Sequence, residues 1–462
     1  MVNVIIHVSK YILAILAASY AMKCFTVFSD RHEDDRGHVY IVQNVLMFLI
    51  HFICYLIIYL MTRDIKMLYF YGAQFVLFLA TLIIYGTVYK NASRLIVNNM
   101  CYLLMVGFVI LTRLDFSMAV RQFMIAVAAV CVSLVIPAFM LRMRMVDKWG
   151  IFFGVFGFLL IASVFVFGRS MYGATNWISI GGFSLQPSEL AKIIFVFFVA
   201  AMLARNTEFK RIVITTAAAA AYVLILVVEN DLGAALIFFV TYLVMLYVAT
   251  RQFRYMALGL GAGSGAAVMA YKLFGHVQVR VTAWKDPWGH YNDAGYQIAQ
   301  SLFAIGTGGW FGMGLFKGKP DTIPVVVSDF VFSAISEEMG ALFAICLILV
   351  YFSCFLMFIN ISLQLVKPFY KLIAMGLSTA YGIQLFLCIG GVTKLIPHTG
   401  VTMPLISYGG SSVLSTIIIF AVIQGLYLLR QREGYILEKR REERLNQEDR
   451  PENIYFPDGL PG

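Results

Sequence analysis

Charge is what this sequence has least of. Of its 462 residues only 13% are Asp, Glu, Lys or Arg, while 61% are hydrophobic and the mean hydropathy is +0.82. Soluble domains carry about 25% charged residues, so composition excludes a soluble globular fold. A cleavable leader is also missing. The apolar run from Val4 to Phe28 has neither a short basic segment before it nor a small-residue cleavage site after it, and is expected to stay as a first membrane helix. The seven cysteines (Cys24, Cys54, Cys101, Cys131, Cys346, Cys354 and Cys388) fall in or beside apolar runs, with no CxxC pair and none in the longest polar stretch. That pattern argues against a disulfide framework or a thiolate metal site and leaves small buried hydrophobes. There is no GxxxxGK[ST] phosphate loop, which disfavours an ATP-driven pump, and no internal repeat is evident.

What is there instead is apolar sequence almost end to end. A membrane span needs about 20 consecutive apolar residues. Such runs stand near residues 4–28, 40–62, 67–88, 98–113, 119–141, 149–168, 190–204, 212–228, 231–250, 254–274, 337–361, 369–391 and 411–430, thirteen in all. The fold expected is an all-α polytopic membrane protein. The net charge of +10 suggests nucleic acid at first sight, but the basic residues sit in short connections, where membrane orientation accounts for them. Arg142, Arg144 and Lys148; Arg205, Lys210 and Arg211; Arg251 and Arg254; and Lys367 and Lys371 fall on alternate connections and share one side. The basic tail after Arg430, QREGYILEKRREERLNQEDR, joins them, so that side and the C-terminus are expected to be cytoplasmic. The acidic trio Glu33, Asp34 and Asp35 carries no motif and reads as solvated loop.

Three stretches then face the opposite side: residues 169–189, 275–336 and 392–410, all rich in Gly, Pro, Trp and polar residues. Irregular backbone at membrane depth is tolerated only where it lines a cavity or is covered by protein, so function is expected there. In GATNWISIGGFSLQPSELAKIIF, from Gly173 to Phe195, Pro187 suits the first turn of a helix with Gln186 or Ser188 near its cap. Glu189 and Lys192, three apart, share a helix face. An intramembrane charge costs roughly 2.5 to 3.5 kcal/mol on insertion scales. The pair is therefore either a structural ion pair at the interface or a cavity-facing pair that holds another polar group. Glu229, Asn230, Asp231, Leu232 and Gly233 open a later helix; helix capping, worth about 0.3 to 1 kcal/mol per carboxylate, and a metal or substrate role both fit them.

The longest outer stretch, VRVTAWKDPWGHYNDAGYQIAQSLFAIGTGGWFGMGLFKGKPDTIPVVVSDFVFSAISEEMG over residues 279–340, is the most specific. Gly295, Tyr296 and Gln297 precede an amphipathic run that ends in the glycine-rich Gly306 to Gly314, and Asp329 and Phe330 lead to Glu337 and Glu338 at an expected helix start. A carboxylate shielded from water there can be tuned toward neutral pH and act as a general base; a folded lid with structural acids has the same composition. IPHTGVTMPLISYGGSS, Ile396 to Ser412, joins two helices through Pro397, Gly400, Pro404, Gly409 and Gly410 and reads as a re-entrant turn. His398 within it lacks a second His or Cys at ligand spacing, so no metal site is assigned.

In this order, NWISIGGFSLQPSELAK, NDLGAALI, GYQIAQSLFAIGTGG, SDFVFSAISEEMG and HTGVTMPLISYGGSS resemble the SEDS family (shape, elongation, division, sporulation), membrane proteins of the RodA, FtsW and SpoVE kind, over about residues 98–430. The resemblance implies a ten-helix core. Residues 1–97 would then be about three extra N-terminal membrane helices, 275–336 a large extracytoplasmic loop, and 431–462 a cytoplasmic tail. It further implies a peptidoglycan glycosyltransferase of the bacterial cytoplasmic membrane, serving elongation, division or sporulation. Such an enzyme polymerises lipid II beside membrane lipids, with a class B penicillin-binding protein as transpeptidase partner and no nucleic acid. An acceptor sugar hydroxyl attacks the anomeric carbon of the donor chain and undecaprenyl diphosphate leaves, which calls for a base and a cation. No cofactor is certain from the resemblance; a divalent cation, magnesium or manganese, at the diphosphate is left open.

The family places the base at an Asp five residues before the glycine of GYQ, supported by the Glu and Lys of QPSELAK, which here are Glu189 and Lys192. The position five before Gly295 is His290, flanked by Asp286 and Asp293. Asp293 is preferred over Asp286, and a histidine also suits the role because imidazole titrates near neutrality. The substrate groove is expected to draw on Trp177, Gln186, Ser188, Asp231, Gln297, Gln300, Asp329, Glu338, Lys394, Ser407, Tyr408, Gly409 and Ser411. Two other readings stay open: a flippase for a lipid-linked precursor, since intramembrane charges also mark transport paths, and a non-catalytic scaffold, which the His290 departure would suit.

Overall fold

The computed structural model describes residues 2–29, 33–142, 146–171, 174–180 and 183–448. Its helices are α1 (Val2–Ser29), α2 (Glu33–Thr62), α3 (Lys66–Val88), α4 (Arg94–Leu114), α5 (Phe116–Arg142), α6 (Gly150–Ala162), α7 (Val164–Phe167), α8 (Pro187–Leu203), α9 (Phe209–Val228), α10 (Leu232–Thr250), α11 (Phe253–Leu273), α12 (Gly275–Lys285), α13 (Tyr296–Gly308), α14 (Val331–Gln364), α15 (Pro368–Val392) and α16 (Gly410–Glu448). Each apolar run read from the sequence falls on one of these helices except 149–168, which is divided between α6 and α7. Eleven described segments are long and apolar enough to cross a bilayer alone, and α11 with α12 forms a further candidate bent by 100°. Helix α8 has 17 residues, about 26 Å at 1.5 Å per residue, a little short of a hydrocarbon core of roughly 30 Å. The chain is a multi-pass helical membrane protein.

The structure corrects three local expectations. Residues 169–185 hold a small antiparallel sheet in the order β1 (Arg169–Met171), β2 (Ala174–Ile180), β3 (Phe183–Leu185), with Ile178 opposite Leu185. Thr175, Trp177, Ile178 and Ile180 are β-branched or aromatic and suit a pleated strand, but a strand this short is lost among long apolar runs. Within residues 275–336 lie α12 and α13, the second on the amphipathic run after Gly295. Helix α14 starts at Val331, before Glu337, and is broken at Gly340, whose φ of 92° only glycine adopts readily. Among the cysteines Cys131 is exposed, whereas the other six are buried.

Helices α1 to α3 pack on α2, α4, α5 and α14. They leave α4 enclosed, with every residue from Leu95 to Thr112 buried. Buried polar contacts fix their register. Tyr20 donates to Asn99 Oδ1 at 3.0 Å and Asn99 Nδ2 to Ser353 Oγ at 2.9 Å, while Tyr55 meets Thr112 at 2.9 Å and His51 meets Gln74 at 3.0 Å. Each such bond between membrane helices is worth about 0.6 kcal/mol on average, so together they specify how the helices dock more than they hold them. The start of α1 lies beside residues 312–317, where Lys10 and Asn3 bond Gly312 and Lys317. It therefore shares one end of the bundle, the site face, with the start of α14.

Candidate functional site

The site face is built where α8, α10, α15 and α16 meet. Pro187 opens α8, as its fixed φ allows. Gln186 before it turns its side chain away from the cap and donates to Asp231 Oδ2 at 2.8 Å. Asn176 on β2 donates to the same oxygen at 3.0 Å and Ser188 at 3.5 Å, while Asp231 Oδ1 caps α10 by accepting from Ala234 N at 3.0 Å. Capping and site are thus served by different oxygens of one carboxylate. Neighbouring Asn230 turns the chain with φ 61°. Glu229, only 1% exposed, finds no hydrogen-bond partner for either oxygen among the described residues. Burial first, and the adjacent Asp231 second, push its carboxyl up to about 8.

Glu189 and Lys192 do form a pair, at 2.7 Å, and it lies inside the protein rather than at the lipid interface. Lys192 also donates to Gln384 Oε1 at 2.5 Å, and Ser415 donates to Glu189 at 2.6 Å. Gln384 Nε2 continues to the Thr402 carbonyl at 3.2 Å, and Ser411 Oγ accepts from Gln186 N at 3.3 Å. The pair therefore ties α8 to α15 and α16, with the ammonium held between Glu189 and Gln384.

Residues 393–409 re-enter the bundle. A Cβ on Gly107, in the middle of α4, would stand 2.7 Å from the Leu405 carbonyl, so glycine is required there. Ser407 is fully buried, donates to the Ser328 carbonyl and accepts from Met403 N; Gly409 N donates to Gln122 Oε1 at 3.0 Å, and Tyr408 N to the Val327 carbonyl at 2.8 Å. These contacts brace the turn.

Helix α12 crosses this cluster as a strap. Arg280 donates to the Thr399 carbonyl at 3.3 Å, and Trp284 Nε1 to the Lys394 carbonyl at 3.1 Å. Burial lowers the Arg280 pKa, opposed by the carboxylates of Asp231 and Asp329. Asp329 lies 3.6 Å from His398 Nε2, and the His398 ring stacks on Phe330 at 4.5 Å. Sequence reasoning weighed the acids of this stretch and missed Arg280. Its signal was a cation five residues after Gly275, in a short helix that faces irregular backbone.

The three candidates for the base sit on the next turn. Asp286 Oδ1 accepts from Gly289 N at 2.9 Å, so it closes the turn. His290 Nδ1 is 3.0 Å from the Asp286 carbonyl. A carbonyl only accepts, so Nδ1 carries a hydrogen, and Nε2 is the nitrogen left to exchange a proton. Asp293 is exposed. Among the described residues none of the three hydrogen-bonds to the Asp231 cluster. Gly295 allows the turn to close, since a Cβ there would stand 2.4 Å from the Pro287 carbonyl. On α13, Gln300 donates to Tyr291 at 2.8 Å and Gln297 is half-buried, as are Trp177 and Lys394 elsewhere on the site face.

Glu338 is brought elsewhere. It accepts from Arg113 Nε at 3.0 Å, with Asp321 3.9 Å from the same guanidinium, and Glu337 accepts from Lys319 N at 2.8 Å. This second cluster anchors the glycine-rich segment to the break in α14. Among the described residues no group of three His, Cys, Asp or Glu is placed to hold a metal ion.

Residues 93–431 match the model of the FtsW, RodA and SpoVE family of cell cycle proteins. The chain belongs to this family. It is similar to the peptidoglycan glycosyltransferase RodA of Mycobacterium bovis, 33% identical over 322 residues, 66% of this chain and 69% of that one. It is also similar to a probable peptidoglycan glycosyltransferase FtsW of a Geobacter species, 32% identical over 277 residues, 58% of this chain and 75% of that one. Among solved structures, a chain of a peptidoglycan synthase complex aligns with a TM-score of 0.63 at 23% identity, over 73% of this chain and 98% of that one. The rod shape determining protein RodA of Thermus thermophilus aligns with a TM-score of 0.55 at 23% identity, over 73% of this chain and 96% of it. Both share the helical fold over that part of the chain. The Asp231 cluster, the Glu189–Lys192 pair and Arg280 all lie inside the family-matched segment.

Proposed function

We propose that this chain is a peptidoglycan glycosyltransferase that polymerises lipid II into glycan strands. The observation that carries the reading is the convergence, within the family segment, of Asp231, the Glu189–Lys192 pair and Arg280 under the α12 strap. Named relatives of this activity support it. The site face is then extracytoplasmic and the C-terminus cytoplasmic, as the alternation of basic connections supports. Residues 98–430 are the catalytic core and 1–97 an added helical unit. A class B penicillin-binding protein is the transpeptidase partner, a reading that the fold shared with a peptidoglycan synthase complex supports.

The chemistry needs a cation for the departing diphosphate. Lys192 is held inside the protein between Glu189 and Gln384, so Arg280 on the α12 strap takes that role. The base comes from the 286–293 turn. Asp286 Oδ1 closes the turn on Gly289 N, and the His290 ring is oriented through Nδ1, which leaves Nε2 as the nitrogen that can take a proton, so His290 is favoured and Asp293 is its alternate. The acceptor hydroxyl attacks the anomeric carbon, its proton passes to Nε2, the bond from that carbon to the phosphate oxygen breaks, and undecaprenyl diphosphate leaves with its charge toward Arg280.

Purified protein with its transpeptidase partner, given lipid II, should yield a glycan ladder on a gel that is lost in Arg280→Ala. No ladder from the wild type, together with movement of lipid II across vesicle membranes, would replace polymerisation with transport.

A further inference from the structure

The first three turns of α1 do not pack only on helices. Lys10 Nζ donates to the Gly312 carbonyl at 3.1 Å, Lys317 Nζ donates to Asn3 Oδ1 at 2.8 Å, and the Tyr11 and Phe311 rings lie 5.0 Å apart. Ile6, 1% exposed, stands so close to Gly314 that a Cβ there would lie 2.7 Å from its side chain. The partner segment is itself unusual. Residues 309–314 cross the break in α14 by backbone bonds: Met313 N to the Glu337 carbonyl, Gly314 N to Glu338, Ala341 N to Gly309 and Leu342 N to Trp310, all between 2.9 and 3.1 Å. Gly309, Gly312, Gly314 and Gly340 all have positive φ, and a Cβ on Gly312 or Gly340 would run into the opposing backbone at 2.3 or 2.4 Å. The four glycines bring no side chains of their own, so the crossing rests on its backbone bonds, on the Glu337 and Glu338 contacts and on α1. Ile6 of α1 packs against it at Gly314.

The crossing is continuous with α13, 13 residues of helix whose other end carries Gln297 and follows the 286–295 turn. A shift at Gly308 is therefore passed along a rigid rod to the turn that holds His290. Residues 1–92 lie outside the family-matched segment, so this support is particular to the extension.

We infer that the N-terminal helix is a positioning strut: Asn3, Ile6 and Lys10 hold the 309–317 crossing, and through α13 set the place of the 286–295 turn in glycan polymerisation. The inference rests on the polymerase reading above. None of the three residues touches substrate, so their loss should slow the chemical step while leaving lipid II binding alone. Misplacement by about 1 Å can cost up to roughly 100-fold in rate.

The test uses the full-length chain with its transpeptidase partner, comparing wild type, Ile6→Ala/Lys10→Met, Ile6→Ala/Lys10→Arg, and the Asn3→Cys/Lys317→Cys pair added to the Ile6→Ala/Lys10→Met background. Measured are kcat and KM on lipid II, the unfolding temperature, and amide deuterium uptake over residues 296–314. Expected for Ile6→Ala/Lys10→Met is a fall in kcat on the order of tenfold, with KM and unfolding temperature unchanged and faster uptake over 296–314. Arginine at position 10, and oxidation of the cysteine pair, should each restore kcat at least in part. An unchanged kcat, or a kcat that falls only in step with the unfolding temperature, overturns the strut. A wild type without product overturns the polymerase reading instead, and the uptake comparison still decides whether α1 holds the crossing.

Discussion

Replacing Lys192 by Met separates a buried, satisfied ion pair from an ornamental one. The Lys192 side chain is 4% exposed and that of Glu189 11%, and the two are 2.7 Å apart. Removing the ammonium leaves the Glu189 carboxylate with the Ser415 hydroxyl and strands Gln384 Oε1, which loses its 2.5 Å donor. Removing one partner of a buried pair costs about 3 to 5 kcal/mol, because an uncompensated charge remains. The double variant Glu189→Gln/Lys192→Met removes both charges and should cost no more than about 1 kcal/mol, since apolar or neutral replacements of a buried pair are often close to neutral. Glu189→Gln alone falls between, because the ammonium keeps amide oxygens as partners. Urea unfolding in detergent, followed by tryptophan fluorescence, gives all three values and hence a coupling of about 2 kcal/mol or more. The double variant should also fold and yet make little glycan. A cost below about 1 kcal/mol for Lys192→Met, as for exposed pairs, or a double variant equal to the sum of the singles, would refute the buried-pair account.

Glu229 predicts a pH dependence of stability. Its folded carboxyl is raised from 4.5 to about 8, so between those values the folded chain keeps a proton that the unfolded chain releases. Stability should fall as pH rises through that window, and Glu229→Gln should flatten the slope of unfolding midpoint against pH. An identical slope in both would exclude Glu229 as its source. Arg280→Ala should lower the polymerisation rate by about 10²- to 10³-fold, the range for loss of one donor to a developing oxyanion, with Lys restoring part of it. Equal rates for Arg280→Ala and wild type would remove the guanidinium from the mechanism. His290→Ala should lose about 10²- to 10⁴-fold, whereas His290→Asp should retain product and move the acidic limb of the pH–rate profile to lower pH. A limb unmoved by His290→Asp, with loss in Asp293→Ala, would pass the role to Asp293.

The helices were legible because hydrocarbon imposes one pattern on every span; the site was legible only in part. Pro187 and the spacing of Glu189 and Lys192 were enough to put that pair on one face of α8. That Gln384 and Ser415 complete the pair was not readable, because both come from helices about 190 and 220 residues away, where only tertiary packing brings them near. Asp231 could be read as a cap, and it is one, but its second oxygen meets Asn176 and Gln186 through a sheet that the apolar pattern conceals. The place of Glu338 is a similar case. Sequence set it among groove residues, whereas Arg113, at the far end of a helix in the first quarter of the chain, draws it into another cluster. The glycines of 306–314 signalled irregular backbone, but not that the first helix would cover it.

Arg280 has a further consequence for how the leaving group is handled. The carboxylates of Asp231 and Asp329 act on it, so, on the proposed reading, its charge is partly balanced before a diphosphate arrives. An interaction accelerates a reaction only if it strengthens between ground state and transition state. A guanidinium shared with fixed carboxylates binds the ground-state diphosphate weakly and responds to the charge that grows as the bond to the sugar breaks. The same balance favours release of undecaprenyl diphosphate afterwards. Asp231 is needed for the fold of the site, through Asn176, Gln186 and the α10 cap, but Asp329 is partly exposed and meets only His398 among the ion pairs. Asp329→Asn therefore tests the balance with little damage. It should tighten inhibition by added undecaprenyl diphosphate about tenfold, corresponding to roughly 1.4 kcal/mol, and lower kcat under conditions where product release is slow. Weaker inhibition by the product in Asp329→Asn would mean that Asp329 helps to hold the diphosphate rather than to expel it, and the charge balance would have to be read the other way.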